Sequence, residues 1–284
     1  MKIFITGATG KVGSRFVPYL LKQGHDVRLL IRNPESANMF KELGAEVVLG
    51  DLLDNDNLVE AIRGTDVVVH TAAQFRGGIS EETALAVNLN ASIVLAKAAL
   101  EADVTRFVFT STGNVYRGLN LNRPCREDDI LVPATEIYPK TKIAAEEALL
   151  KLHREQGLDI RIMRLGFVYG AGDPHIEEIL PYIINWNPLK QFSIVHHEDV
   201  DLALLLAAST PGIGGRIYNV ADGNPITIGE LTKLNGLTEQ VPTKDGWLMP
   251  NLWDMAMDTE RIKNDLNFKP KYPSFCTARD MGAL

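Results

Sequence analysis

Tyr138 and Lys142 stand four residues apart in Tyr138-Pro139-Lys140-Thr141-Lys142, a spacing that puts both side chains on one face of a helix. An ammonium beside a phenol stabilises the phenolate and lowers a tyrosine pKa from about 10, which makes the hydroxyl a usable acid or base near neutrality. Lys140 points elsewhere. Far upstream, Gly7-Ala8-Thr9-Gly10-Lys11-Val12-Gly13 separates a short apolar run from an amphipathic one. Gly7 allows a tight turn, Gly10 lets the backbone approach a pyrophosphate, and Gly13 permits close helix packing, with the helix N-terminus facing the anion. That is the chemistry of dinucleotide binding, and the amine of Lys142 could also hold a nicotinamide ribose.

Other residues fit the same ligand. At the end of the second apolar run, where an acid would select NAD through the ribose hydroxyls, the chain has Leu30-Ile31-Arg32-Asn33-Pro34. The Arg32 guanidinium suits a 2′-phosphate and favours NADP over NAD. Arg28 is the other cation on that strand. In Gly50-Asp51-Leu52, Asp51 either accepts from the adenine amino group or caps a turn. Thr71-Ala72-Ala73 offers small residues against which a dinucleotide can lie, or is a plain turn.

Strands and helices alternate in the order that would position these groups. Strands are expected at Lys2 to Thr6, Asp26 to Ile31, Glu46 to Leu49, Asp66 to His70, Arg106 to Thr110 and Asp159 to Arg164. Helices are expected at Gly13 to Gln23, Pro34 to Leu43, Asp56 to Arg63, Glu81 to Ala102 and Lys140 to Gln156, several stopping at a glycine. This rhythm predicts an α/β fold, a Rossmann-type doubly wound parallel sheet with right-handed crossovers. Beyond Gly166 the rhythm breaks, with prolines at 174, 181, 188 and 211. We read 1–165 plus 196–221 as the dinucleotide domain, and 166–195 plus 222–284 as a small C-terminal substrate lobe with few clear elements.

The 284 residues, 45% hydrophobic and 23% charged, suit a globular protein. With 29 Lys and Arg against 36 Asp and Glu, the net charge of -7 gives no footprint for nucleic acid or an anionic membrane. Cys125 and Cys276 form no disulfide framework and lack metal-ligand spacing. The opening MKIFITG is too short for a signal-peptide core, and no apolar run approaches the roughly 20 residues that span a bilayer. A cytoplasmic protein is expected. His196-His197 reads as a polar pair, Asp199 as a residue that caps or orients the next helix, and Trp247, Met249, Trp253, Met255 and Met257 as small-lobe core.

The glycine turn, Tyr138-xxx-Lys142 and Ser111-Thr112-Gly113-Asn114-Val115-Tyr116 together resemble the extended short-chain dehydrogenase/reductases, the NAD-dependent epimerase/dehydratase group. The resemblance continues through Arg164 to Gly170, Val195 to Val200 and Tyr218 to Ala221, and fades after about residue 230. It implies Tyr138 as acid/base, Lys142 as its pKa modifier and ribose ligand, and Thr112 as the hydroxyl that bonds the reacting oxygen, with Ser111 as second choice. It also implies Asn88 as a cofactor-side asparagine, and a homodimer packed through residues 81–102 and 140–156. Family dehydratases carry Asp-Glu after the catalytic threonine, where this chain has Gly113-Asn114. Nucleotide-sugar enzymes of the family carry an arginine-ended glycine segment where this chain reads Asn187 to Ile194 without arginine. The reading is an NAD(P)-dependent oxidoreductase acting on a small carbonyl or alcohol. The alternatives are a sugar epimerase and a dinucleotide-sensing regulator without turnover, against which the intact Tyr138 and Lys142 argue.

Overall fold

The computed structural model describes residues 1–53, 57–75, 80–237 and 251–284. In chain order the first elements are β1 (Lys2–Thr6), α1 (Gly13–Lys22), β2 (Asp26–Ile31), α2 (Pro34–Glu42), β3 (Glu46–Leu49), α3 (Leu58–Ile62) and β4 (Val67–His70). The expected start of α3 at Asp56 lies outside the described residues. There follow α4 (Glu81–Leu85), a π-helical turn (Ala86–Asn90), α5 (Ala91–Glu101), β5 (Arg106–Thr112), α6 (Ile137–Gln156) and β6 (Asp159–Leu165). Then come β7 (Phe167–Tyr169), α7 (His175–Ile183), β8 (Gln191–Phe192), β9 (Ile194–His196), α8 (His197–Ser209), β10 (Arg216–Val220), β11 (Ile226–Thr227), α9 (Ile228–Leu234), α10 (Glu260–Leu266) and α11 (Phe275–Asp280).

Seven strands make one sheet in the order β3-β2-β1-β4-β5-β6-β10. β1 lies parallel to both β2 and β4, with Ile3 opposite Val27 and Val67. Ile3, Phe4, Ile5 and all four residues of β4 are buried, as a strand covered by helices on both faces requires. The strand order reverses between β1 and β4, and that reversal opens a crevice at their carboxyl ends. The expected parallel α/β sheet is therefore present.

Contact density divides the chain into two units, one of Met1–Ser111, Thr135–Met163 and Asp201–Ile217, the other of Thr112–Ala134, Arg164–Val200 and Tyr218–Leu284. In the first, Phe4, Val68, Phe107, Leu95, Leu149 and Ile160 belong to one core. The run Glu81–Glu101 is helical throughout, and its 21 residues, with a mean hydropathy of 1.5 over an 18-residue window, are long and apolar enough to cross a membrane, contrary to the sequence reading. Its Leu95, Ala96 and Ala99 are fully buried in that core, which accounts for the hydropathy without a bilayer.

In the second unit, β7 pairs with β9 and β8 with β11, and Tyr169, Ile176, Leu180, Phe192, Ile226 and Phe275 form its core. The loop of residues 117–136 is held by a buried polar network. The Arg164 guanidinium donates to Tyr116 Oη (2.7 Å), which donates to Asn219 Oδ1 (2.8 Å), while the Asn219 backbone N–H donates to Glu127 Oε1 (2.9 Å). Residues 112–134 thus group with Asn219 and its surroundings. The tail is more ordered than the sequence reading allowed, since it carries α10 and α11. Asp199, expected to cap or orient α8, instead accepts the backbone N–H groups of Lys271 (2.5 Å) and Tyr272 (3.1 Å) and so ties down the tail.

Tyr169 Oη and Asp222 Oδ2 are buried with no hydrogen-bond partner among the described residues. Burial, reinforced by Asp199, pushes the Asp222 carboxyl from 3.8 up to about 8. A raised folded-state pKa gives stability that is complete below the unfolded value and is lost as pH climbs through the folded one. Melting temperature measured from pH 4 to 9 should therefore fall less with rising pH in Asp222→Asn than in the wild type. Parallel curves would mean that the carboxyl does not titrate in this range.

Candidate active site

The turn after β1 is shaped for close backbone approach. Gly7 has φ +82°, and a Cβ there would lie 2.4 Å from Ala72 N. A Cβ at Gly13 would lie 2.3 Å from Gly7 O. Both glycines are therefore sterically obligatory, and the ten-residue α1 begins at Gly13 with no acid in its first turn, leaving its N-terminal dipole for an anion. Thr9, Gly10, Lys11 and Val12 complete the turn, with Gly10 N–H donating to Gly7 O (2.9 Å). Across from it, the Thr71 hydroxyl donates to Thr6 O (2.8 Å), which fixes the Thr71-Ala72-Ala73 segment beside Gly7. This cradle fits a dinucleotide pyrophosphate.

At the sheet's far side, the two arginines of β2 separate. Arg28 is committed to Ala61 O (2.9 Å), Arg63 O (2.8 Å) and Glu46 (2.8 Å). Arg32 keeps 81% of its side chain exposed and meets Asp51 only at 3.7 Å. Asp51 also accepts from Leu53 N (3.0 Å) across Leu52, so it caps a turn.

Asn88 lies in the π-helical turn and is fully buried. Its amide accepts from Gln74 N (2.8 Å) and donates to Gln74 O (2.8 Å) and Thr141 Oγ1 (3.1 Å). Thr141 Oγ1 in turn donates to Tyr138 O (2.9 Å). His70, which the sequence reading passed over, extends this chain. Burial pushes it down to about 3, so the ring is neutral. Ser92 Oγ donates to Asn88 O (2.8 Å) and so accepts from His70 Nε2 (2.9 Å), which leaves His70 Nδ1 to accept from Thr6 Oγ1 (2.6 Å). A satisfied buried chain of this kind rigidifies what it connects: here the strand before Gly7 and the first turn of α6.

Tyr138 and Lys142 share α6, whose first turn carries Pro139. The half-buried Tyr138 ring sits 5.6 Å from that of Phe75, and among the described residues its hydroxyl makes no hydrogen bond. The phenol does not show the lowering expected from Lys142. Burial pushes the phenol above its ordinary value, while Lys142 Nζ donates to Thr110 O (2.9 Å) and lies 4.4 Å from the Phe109 ring centroid. Burial also brings the amine itself down to about 7, opposed by Glu146. Lys140 pairs with Glu81 at the surface. Ser111, the second-choice hydroxyl, donates instead to Glu146. Glu146 was missed, although it follows Lys142 by the same four residues that separate Lys142 from Tyr138.

In the second unit, Thr112 accepts from Asn114 N (3.2 Å). A Cβ on Gly113 would lie 2.7 Å from Met257 Sδ, so the thioether occupies the space a side chain at this position would need. Met255 packs on this unit's core, while Trp247 and Met249 lie outside the described residues. The Lys190 ammonium is engaged by Asp254 and by Asn251 O (2.9 Å). His196 reaches Ala283 O (3.0 Å) and His197 reaches Asp173 (2.7 Å). Among the described residues no three His, Cys, Asp or Glu converge as a metal site.

The model of the NAD-dependent epimerase/dehydratase family matches residues 3–221. A Stigmatella aurantiaca 4-hydroxy-2-methyl-3-oxo-4-farnesyl-3,4-dihydroquinoline-1-oxide ketoreductase is 30% identical over 242 residues, 80% of this chain and 70% of the relative. A 3-beta-hydroxysteroid dehydrogenase from Mycolicibacterium neoaurum is 28% identical, over 82% of this chain and 68% of its own. Among solved structures, a short-chain dehydrogenase/reductase superfamily protein from Agrobacterium tumefaciens with bound NAD superposes with a TM-score of 0.78 at 25% identity, covering 96% of this chain and 93% of that one. With the reversed strand order and the cradle at Gly7, these matches establish that the chain belongs to the NAD-dependent epimerase/dehydratase family and is a nicotinamide-dependent oxidoreductase of the extended short-chain type.

Proposed function

We propose that the chain is a carbonyl reductase or alcohol dehydrogenase for a small, largely apolar substrate, with Tyr138 as acid/base, Lys142 as its partner and Thr112 as the hydroxyl on the reacting oxygen. The observation that carries this reading is the buried Lys142, one turn after Tyr138, on the helix whose first turn is tied through Asn88 and His70 to the strand entering the Gly7 cradle. When bound, the nicotinamide supplies or takes up the hydride. Tyr138 gives its proton to the substrate oxygen in reduction and removes it in oxidation. Burial keeps the phenol protonated, the form from which it can act as the proton donor. Gly7, Gly10 and Gly13 with the α1 N-terminus would hold the pyrophosphate, and Asn88, paired with the Gln74 backbone, would stand on the cofactor side.

Apolar substrates are supported by the names of the ketoreductase and hydroxysteroid relatives. A nucleotide-sugar epimerase is the weaker reading, since the cation of its diphosphate-gripping stretch, Lys190, is already engaged by Asp254. NADP is preferred to NAD through Arg32, whose loose, exposed pairing with Asp51 is readily exchanged for a phosphate. Losing a charge-assisted contact of about 1.5 to 3 kcal/mol, Arg32→Asp should weaken NADP by about 10- to 100-fold in a binding titration and leave NAD nearly unchanged. Equal losses for both would make Arg32 a bystander. A homodimer through residues 81–102 and 140–156 and a cytoplasmic location, which suits the free Cys125 and Cys276, complete the proposal.

A further inference from the structure

Lys142 is buried to within 1% of its surface, and its neighbours are buried or half-buried. From β5 come the Thr110 carbonyl and the Phe109 ring. From β4 comes His70, neutral and unable to compensate a charge. From α6 itself come Tyr138, protonated, and Glu146, 3% exposed. Among the described residues, Glu146 is therefore the anion that Lys142 feels. It lies one helical turn below the amine, where side chains four apart are neighbours, and the Ser111 hydroxyl at the end of β5 donates to its carboxylate. A buried ammonium without a counter-charge surrenders its proton.

We propose that Glu146, tethered by Ser111, is the internal counter-charge that keeps the Lys142 amine cationic, making both of them positioning residues for the site. The inference rests on the functional reading of Lys142, and deepens it. It explains why an acid is buried beside the reacting centre without touching substrate: a charged Lys142 can leave the Thr110 carbonyl to donate to ribose hydroxyls and to stabilise a Tyr138 phenolate, whereas a neutral amine does the second poorly. Burial holds the amine near the edge of its charged range, so the charge on Glu146 sets the alkaline limit of the site.

The test follows the amine directly, by NMR titration of protein carrying 13C-ε lysine, with Lys142→Met to assign the resonance. In Glu146→Gln the Lys142 midpoint should move to lower pH by on the order of one unit, and Glu146→Asp should recover most of that shift. Ser111→Ala, which keeps the carboxylate but removes its donor, should shift the midpoint the same way by less. A Glu146→Gln midpoint equal to that of the wild type, with an unchanged melting curve, overturns the proposal. The wild type alone also decides: the Glu146 carboxyl resonance must move through the Lys142 midpoint, and a flat response there overturns the counter-charge role. NAD affinity measured against pH tests Lys142 as a dinucleotide ligand separately from Glu146 as its counter-charge. If the pH dependence survives in Lys142→Met, the reading of Lys142 as a dinucleotide ligand fails, while the amine titration still decides the role of Glu146.

Discussion

Tyr138→Phe should lower turnover by a factor of about 100 to 10,000, the usual worth of a positioned acid or base, while NAD and NADP affinity stays within about twofold. The split between the two readouts is what the geometry demands. The phenol hydroxyl has no hydrogen bond among the described residues, so its removal leaves no buried group unpaired. The ring keeps its contact with Phe75 at 5.6 Å, and α6 keeps its first turn through Thr141 and Asn88. Steady-state rates and a dinucleotide titration on the same preparation check both halves. Unchanged turnover would remove Tyr138 from the chemistry.

Gly7→Ala should be the most disruptive single methyl in the first unit. The backbone at Gly7 has φ +82°, which costs an L residue roughly 1 to 2 kcal/mol. The added Cβ would meet Ala72 N at 2.4 Å, and overpacking against rigid backbone adds about 1 to 3 kcal/mol. The expected sum is about 2 to 5 kcal/mol of lost stability, read as a lower melting temperature. Because the displaced atoms border the cradle, dinucleotide binding should be lost even where the protein remains folded. Gly24, also at positive φ but with nothing within 4 Å of a Cβ, is the control: Gly24→Ala carries the strain without the clash and should leave binding intact.

The sheet and its glycine turn were legible because each is written in short-range pattern. Apolar runs closed by glycine mark parallel strands and helix ends, and Gly7, Gly10 and Gly13 each answer one steric demand. Tyr138 and Lys142 were legible for the same reason, through their helical spacing. What Lys142 does was not, because a flexible side chain chooses between Tyr138 and the Thr110 carbonyl, and that carbonyl belongs to a strand 32 residues away in sequence. Ser111 looked like a spare catalytic hydroxyl until its acceptor, Glu146, was brought to it across 35 residues. His70 carries no motif, and its meaning lies in Thr6 and Ser92 on either side of the ring. Asp199 reads as structural, but its partners, the Lys271 and Tyr272 amides, lie more than 70 residues on and leave no short-range signal. Short-range signals reveal which residues can do chemistry, whereas long-range contacts decide which of them are free to do it.

The central claim is that this chain moves hydride, not merely that it binds a dinucleotide. It is tested most directly by incubating the protein with reduced dinucleotide deuterated at the transferring carbon and a panel of apolar ketones and aldehydes, then analysing the alcohols by mass spectrometry. With the wild type the expected product is an alcohol one mass unit heavier than its protio form, with deuterium at the carbinol carbon, and with Tyr138→Phe its yield is sharply reduced. Saturable dinucleotide binding with no deuterium transferred to any carbonyl would contradict it and favour a sensor built on the same fold.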